Sequence, residues 1–163
     1  MKKLILLALV ITMGMNCRAQ ETSERYTTSS PLIENTKKYL AAYENQDWDT
    51  WMMQYTDSSK IYHNTWENAR MPEEALKSHK ELLSNMTSYE FLDEPIFYEQ
   101  IVDDEGKTWV YMWGIWKGTL KGSGETIKVP VHLALWFKDG KNVEEYGFYD
   151  TSSLMAAIQK NQN

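Results

Sequence analysis

The chain has 163 residues, a formal charge of −6 and a single cysteine. This length fits one domain with its own hydrophobic core. The acidic charge argues against nucleic-acid binding, which needs a basic surface to meet phosphates, and a lone cysteine cannot form an intramolecular disulfide.

The first 19 residues have the pattern of a secretory signal peptide. Lys2 and Lys3 form a basic start, residues 4–15 form an apolar stretch too short to span a membrane, and Cys17-Arg18-Ala19 is a small-x-small cleavage sequence. We therefore expect a periplasmic or secreted protein without a transmembrane segment. The alternative is a lipoprotein anchored at Cys17, although Gly14-Met15-Asn16 departs from the usual lipobox. Cleavage after Ala19 would remove the only thiol and lower the formal charge to about −9.

Residues 20–29 are polar and are predicted to be a flexible lead-in. The next stretch, SSPLIENTKKYLAAYENQDWDTWMMQY, predicts two helices. Ser30 can cap the first helix and Pro31 fits its first turn, whereas Asp47 can cap a second, shorter helix. Apolar spacing of three and four residues gives the first helix one buried face. This face consists of Leu32, Ile33, Thr36, Tyr39, Leu40 and Tyr43.

SKIYHN predicts a short strand over Lys60–Tyr62, with His63 at its end, and MPEEALKSHKELLSNM predicts a third helix. Pro72 lies near the start of that helix, followed by Glu73 and Glu74, and the helix dipole favours acids in this first turn. His79 falls on or beside the buried face of the helix. We interpret it as a packing residue rather than a catalytic one.

From Ser88 onward the pattern is that of strands. YEFLDEPIFYEQIV is extended and broken or bulged at Pro95. TWVYMWGIWKGTL and TIKVPVHLALWF are long strands, and KDGK is a hairpin turn leading into NVEEYGFYD. TSSLMAAIQK predicts a closing helix. Helices followed by antiparallel strands indicate an α+β domain over residues 30–160, a cone-shaped barrel in which a curved antiparallel sheet wraps over the N-terminal helices.

Two segments carry a resemblance to a known family. KKYLAAYENQDWDTWMMQYTDSSKIYHN and LALWFKDGKNVEEYGFYD follow each other at the separation found in the nuclear transport factor 2-like superfamily, in its SnoaL-like and ketosteroid-isomerase-like branch. The similarity covers roughly residues 30–155. It implies a cone with a small-molecule site, and frequently a homodimer. The fold hosts both enzymes and non-catalytic domains, so function must be argued from the site.

The resemblance also implies candidate catalytic residues. Tyr39 stands where ketosteroid isomerases have a tyrosine that donates to the substrate oxyanion, and His63 stands where they have the proton-shuttling carboxylate. The later acid of those isomerases has no counterpart: Pro130 is nearest, with His132 two residues beyond. The acid/base aspartate of SnoaL-type cyclases is replaced by Gly147. The candidate catalytic residues are therefore His63, Tyr39 and His132.

Strand alternation completes the predicted site. One face of TIKVPVHLALWF carries His132, Ala134 and Trp136. One face of NVEEYGFYD carries Glu145, Gly147 and Tyr149. The resemblance implies that both faces point into the cone. Which face of TWVYMWGIWKGTL points inward stays open. The candidate ligand-binding residues are Tyr43, Trp51, Trp113, Trp136, Glu145 and Tyr149.

Three hypotheses follow. The seven Trp and ten Tyr residues favour an exported module whose aromatic cone binds a small apolar or cyclic ligand. The second hypothesis is an isomerase, cyclase or dehydratase that uses His63 as acid/base with Tyr39 as oxyanion donor. The third is a structural dimer with a plugged cone. No cofactor motif is present, and a metal site of His63, His132 and Glu145 is not expected because they lack a short ligand spacing.

Overall fold

The computed structural model describes residues 25–162, and the predicted signal peptide and Cys17 lie outside this range. The elements are β1 (Tyr26–Thr27), α1 (Pro31–Glu44), α2 (Trp48–Met52), β2 (Tyr55–His63), α3 (Pro72–Leu83), β3 (Met86–Phe91), β4 (Phe97–Val102), β5 (Thr108–Leu120), β6 (Thr126–Lys138), β7 (Lys141–Tyr149) and α4 (Ser152–Gln162). The α+β class predicted from the sequence is confirmed. Part of the expected lead-in differs, because Tyr26 and Thr27 pair with β4 as β1.

The helix starts follow the local sequence. The Ser30 hydroxyl accepts a hydrogen bond from the Ile33 N–H at 3.1 Å at the start of α1. The Asp47 carboxylate accepts one from the Thr50 N–H at the same distance and begins α2. Such caps satisfy backbone donors that the first helical turn leaves without a partner.

The seven strands of residues 25–162 form one curved sheet. Its order is β1-β4-β5-β6-β7-β2, and β3 pairs with the C-terminal part of β5, residues 116–120. All pairs are antiparallel except β2 with β7. β2 is longer than the predicted strand and runs beside β7 as far as the pair His63–Gly147. The sheet does not close on itself. Its concave face packs on α1, α2 and α3 to form the core.

A bulge in the β6–β7 hairpin decides which residues face this core. Phe137 pairs with Asn142, but Trp136 pairs with Glu144, so Val143 is an extra residue on β7. When the pairing register shifts by one residue, every later side chain of one strand lies on the opposite face relative to the partner strand.

The predicted inward face of β6 is therefore wrong. Beyond the bulge Leu135 lies opposite Glu145 and Leu133 opposite Gly147, and these residues point inward. His132, Ala134 and Trp136 point to the convex face. The sequence-based assignment would hold for a hairpin without the bulge, in which Ala134 would pair with Glu145.

The convex face carries an aromatic cluster. Trp113 of β5 stacks on His132 with ring centroids 3.8 Å apart, and His132 also stacks on Tyr111 and Phe148. The open question about β5 is thereby answered: Val110, Met112 and Trp116 face the core, and Trp113 faces outward. Trp113, Trp136 and His132, predicted as site residues, belong to this outer cluster because of the strand register.

Candidate functional site

A cavity of about 80 Å³ lies inside the cone, between α1, α3, the concave face of the sheet and the start of α4. Its walls are mostly apolar or aromatic. Its lining residues are Tyr39, Leu40, Tyr43, His63, His79, Leu82, Phe91, Trp116, Val129, Val131, Leu133, Glu145, Tyr149, Thr151 and Leu154. The volume has room for the reacting part of a small molecule, but it is smaller than the usual pocket for a whole drug-sized ligand.

Glu145 lies at the inner wall of this cavity and is almost completely buried, with 1% of its surface exposed. Four side chains surround its carboxylate. The Tyr55 hydroxyl donates to Oε2 at 2.7 Å and the Asn142 amide donates to the same oxygen at 3.0 Å. The Tyr39 hydroxyl lies 3.2 Å from both oxygens, and His63 Nε2 lies 3.2 Å from Oε1. A buried carboxylate needs this number of donors to stay charged.

The surroundings of Glu145 favour its ionised form. Burial raises the pKa of the carboxyl group, but the hydrogen bond and positive charge of protonated His63, together with the hydrogen bond from the Tyr55 hydroxyl, hold the pKa below its usual value of 4.5. Burial raises the pKa values of Tyr39 and Tyr55 well above 10, and the charge of Glu145 raises both further. Both phenols are therefore protonated donors at neutral pH.

His63 connects this cluster to the cavity. Its side chain is only 9% exposed. Because the charged carboxylate can only accept a hydrogen bond, the proton of the neutral ring lies on Nε2. Nδ1 is then unprotonated, and within residues 25–162 it has no hydrogen-bond partner. The ring thus combines a carboxylate on one nitrogen with a free lone pair on the other.

Two backbone features hold His63 in place. The parallel pairing of β2 with β7 brings His63 beside Gly147, and the Asn64 N–H donates to the Gly147 carbonyl at 2.8 Å. The Asn64 side chain then bonds the backbone of Tyr149 in both directions, at 2.8 and 2.9 Å. A Cβ at position 147 would lie only 2.7 Å from Cδ2 of His63. The glycine therefore provides the space that the imidazole occupies.

His79 lies next to His63, with ring centroids 5.6 Å apart. Its ring packs edge-on against Tyr43 and Trp51. Burial, helped by the charge of His63, lowers the pKa of His79 to about 4, so His79 is neutral at physiological pH. The prediction that it is a packing residue fits this environment, although His79 also forms part of the cavity wall.

The structure brings together some of the predicted site residues. Tyr39, His63 and Glu145 form one cluster, and Tyr43 and Tyr149 line the same cavity. Trp51 lies behind the cavity wall, completely buried against Tyr39. The catalytic and ligand-binding roles of these residues stay predictions.

Sequence reasoning missed Tyr55 and Asn142, which complete the shell around Glu145. Tyr55 fits the apolar face predicted for the second helix, and Asn142 follows a hairpin turn, so neither position by itself indicates a contact with Glu145. Asn142 reaches Glu145 along β7 itself, where the extra residue Val143 puts both side chains on the same face. Tyr55 reaches it because β2 is the parallel neighbour of β7. That pairing has no signal in the local sequence. Trp116 and Leu154 were likewise not predicted to line the cavity.

Metal and membrane features can be described for residues 25–162. In this part of the chain no three His, Cys, Asp or Glu side chains are grouped to hold a metal ion. His132 lies on the opposite face of the sheet from His63 and Glu145, so these three do not meet. No helix in the same range has the length and apolar character needed to cross a membrane.

Comparisons with known proteins bear on the fold. No protein-family model and no curated protein match the sequence. Solved structures do match. IdmH from Streptomyces antibioticus, a proposed polyketide cyclase, superposes with a TM-score of 0.63 at 15% identity, covering 80% of this chain and 99% of that one.

Two further structures agree with this. A protein of unknown function from Burkholderia pseudomallei, described as NTF2-like, has a TM-score of 0.62 at 13% identity and covers 80% of this chain and 98% of that one. A protein with a ketosteroid isomerase-like fold from Catenulispora acidiphila, solved with trimethylamine, has a TM-score of 0.61 at 12% identity, covering 80% and 95%. The chain therefore has the nuclear transport factor 2-like cone fold, as the sequence resemblance implied. Identities this low show the fold alone.

Proposed function

We propose that this protein is an acid–base enzyme that moves a proton on a small, largely apolar substrate, in a reaction of the isomerase, cyclase or dehydratase type. One observation carries the proposal. His63 lies in the cavity wall with Nε2 on the buried carboxylate of Glu145 and with Nδ1 unpaired. A histidine oriented by a buried carboxylate is a recurrent arrangement for general-base catalysis.

The chemistry follows from these contacts. Nδ1 accepts a proton from a carbon next to the substrate carbonyl, and the ring becomes an imidazolium ion. Glu145, 3.2 Å from Nε2, stabilises that positive charge. The imidazolium then returns the proton to another carbon, or to a leaving hydroxyl group. Asn142 and Tyr55 hold the carboxylate in place for the next cycle.

A donor for the developing oxyanion is also available. The Tyr149 ring packs against His63 with centroids 5.5 Å apart. In the described part of the chain its hydroxyl has no hydrogen-bond partner, and burial raises its pKa well above 10, so it keeps its proton. Tyr39, the donor implied by the family resemblance, is instead directed at Glu145. We assign the oxyanion donor to Tyr149.

Proton exchange at carbon tests this function without knowledge of the natural substrate. A panel of cyclic ketones and enolisable lactones is incubated in D2O, and loss of the α-proton signal is followed by ¹H NMR. We expect His63→Gln to lower the enzyme-catalysed exchange rate by about 10²- to 10⁴-fold. His132→Gln is the matched control, because His132 lies on the convex face. Equal rates for wild type and His63→Gln would eliminate His63 as the base.

The alternative is ligand binding without turnover, which the aromatic walls of the cavity favour. Mass spectrometry of small molecules that co-purify with the native protein addresses it. A bound ligand that is recovered unchanged, together with no exchange on any ketone, would support the binding module over the enzyme.

We also propose that the protein is exported and forms a homodimer through the convex face of the sheet. The support for export is the leader sequence. The support for the dimer is the aromatic cluster, where Trp113 is 50% exposed, with Phe97 at 65% and Trp66 at 71% nearby on the surface. Exposed apolar patches of this kind mark interfaces. We expect Trp113→Lys to shift sedimentation velocity from dimer to monomer, and a monomeric wild type would refute the dimer.

A further inference from the structure

A second, larger recess of about 900 Å³ lies outside the cavity, between α3 and α4. The recess and the cavity share five lining residues, so the two spaces adjoin. These residues are His63, His79, Leu82, Tyr149 and Thr151. A substrate whose reacting carbon reaches His63 would therefore extend outward into this recess.

The recess differs from the cavity in chemistry. The cavity walls are aromatic or aliphatic around one buried carboxylate. The recess combines apolar residues of α4 with polar side chains, which include Asn64, Ser78 and Asn85 together with Arg70 and Glu81. Among residues 25–162 no arginine or lysine lines the cavity, and Arg70 is the cationic side chain that lines the recess.

Arg70 is held in position but is not neutralised. Its backbone pairs with Ile61 of β2 through two hydrogen bonds of 2.8 and 2.9 Å. Its guanidinium donates to the Ser78 hydroxyl at 3.3 Å. Among the described residues no carboxylate lies within 4.0 Å of it, although the chain is acidic overall. The positive charge of Arg70 acts on the neighbouring cluster, because it helps to lower the pKa of His79.

We propose that Arg70 binds a carboxylate on the substrate, so that the substrate class is an apolar, enolisable ketone or lactone with a carboxylate-bearing tail. The inference rests on the proposed acid–base function of His63. The apolar carbon skeleton occupies the cavity, and the tail occupies the recess. A planar guanidinium binds a carboxylate through two parallel hydrogen bonds. Glu81 in the same recess disfavours a dianionic phosphate more than a singly charged carboxylate.

The test compares 4-(2-oxocyclohexyl)butanoate with its methyl ester in the deuterium-exchange assay. We expect wild type to show a KM for the keto acid about tenfold or more below that for the ester. Arg70→Gln should raise the KM for the acid about tenfold more than for the ester, with little change in kcat. Arg70→Lys keeps the charge and should retain part of the preference. Lys77→Gln, which removes a charge on the same helix as Ser78 but outside the recess, is the matched control.

Calorimetry separates failure of this inference from failure of the proposed function. The probe is 4-cyclohexylbutanoate, which has no ketone and cannot exchange. Weaker binding of this acid to Arg70→Gln than to wild type supports the carboxylate site even if no ketone exchanges. Absence of exchange would then contradict only the acid–base function. Equal affinity in both proteins, no binding at all, or tighter binding of cyclohexylbutyl phosphate would overturn the inference even if exchange proceeds normally.

Discussion

Gly147→Ala tests whether the position of His63 governs activity. A Cβ at residue 147 would lie 2.7 Å from Cδ2 and 3.2 Å from Nε2 of His63. Carbon atoms in contact settle at about 3.5–4.0 Å, so the ring must move by about 1 Å. The Nε2–Glu145 distance is already 3.2 Å, and a contact of about 3.6 Å is no longer a hydrogen bond. The substitution therefore separates the imidazole from the carboxylate.

We expect a loss of about 100-fold in exchange rate, since a displacement of about 1 Å has that cost in a positioned active site. The free energy of unfolding should fall by about 1–3 kcal/mol from overpacking. Gly114→Ala is the control, because the atoms nearest to a Cβ there belong to the Met112 and Ile96 side chains, at 3.2 and 3.3 Å, and not to His63. If Gly147→Ala exchanges at the wild-type rate while it remains folded, the steric argument is refuted.

The remaining predictions concern the buried cluster. Glu145→Ala leaves Tyr55 and Asn142 without their acceptor and should lower stability by about 3–5 kcal/mol in urea unfolding; a loss below about 1 kcal/mol would contradict the buried network. Because the folded pKa of Glu145 is depressed, its contribution is present above pH 4.5 and should be lost as the pH falls through the folded value. The pKa of His79 falls from 6.5 to about 4 on folding, so the unfolded chain binds this proton more tightly than the folded protein. As the pH is lowered from 6.5 to about 4, the free energy of unfolding should therefore decrease by about 3 kcal/mol. His79→Gln should flatten this part of the stability curve, and an unchanged slope would show that another group titrates there.

Much of the fold could be predicted because its signals are local. Ser30, Asp47 and the Asp139-Gly140 turn each determine a boundary through their own side chain or backbone. That Glu145, Gly147 and Tyr149 share one face follows from the alternation of one strand. Such inferences need only neighbouring residues.

The site could be predicted only in part because its contacts span distant strands. The extra residue Val143 reverses the face of β6, and alternation alone cannot reveal a bulge. The support of Glu145 by Tyr55 depends on the parallel pairing of β2 with β7, 90 residues apart in sequence. Gly147 stands at the position where the family resemblance implied an aspartate. In the structure that glycine makes room for His63, and the carboxylate stands two residues earlier.

The position of the proton on the neutral His63 ring tests whether this histidine can act as the base. A long-range ¹H–¹⁵N NMR spectrum of the protein, recorded at a pH where the imidazole is neutral, identifies the nitrogen that carries the proton. We expect the proton on Nε2, facing Glu145, and an unprotonated Nδ1, which has no hydrogen-bond partner among residues 25–162. A proton on Nδ1 would leave this nitrogen without the free lone pair that the proposed base needs and would contradict the proposed function.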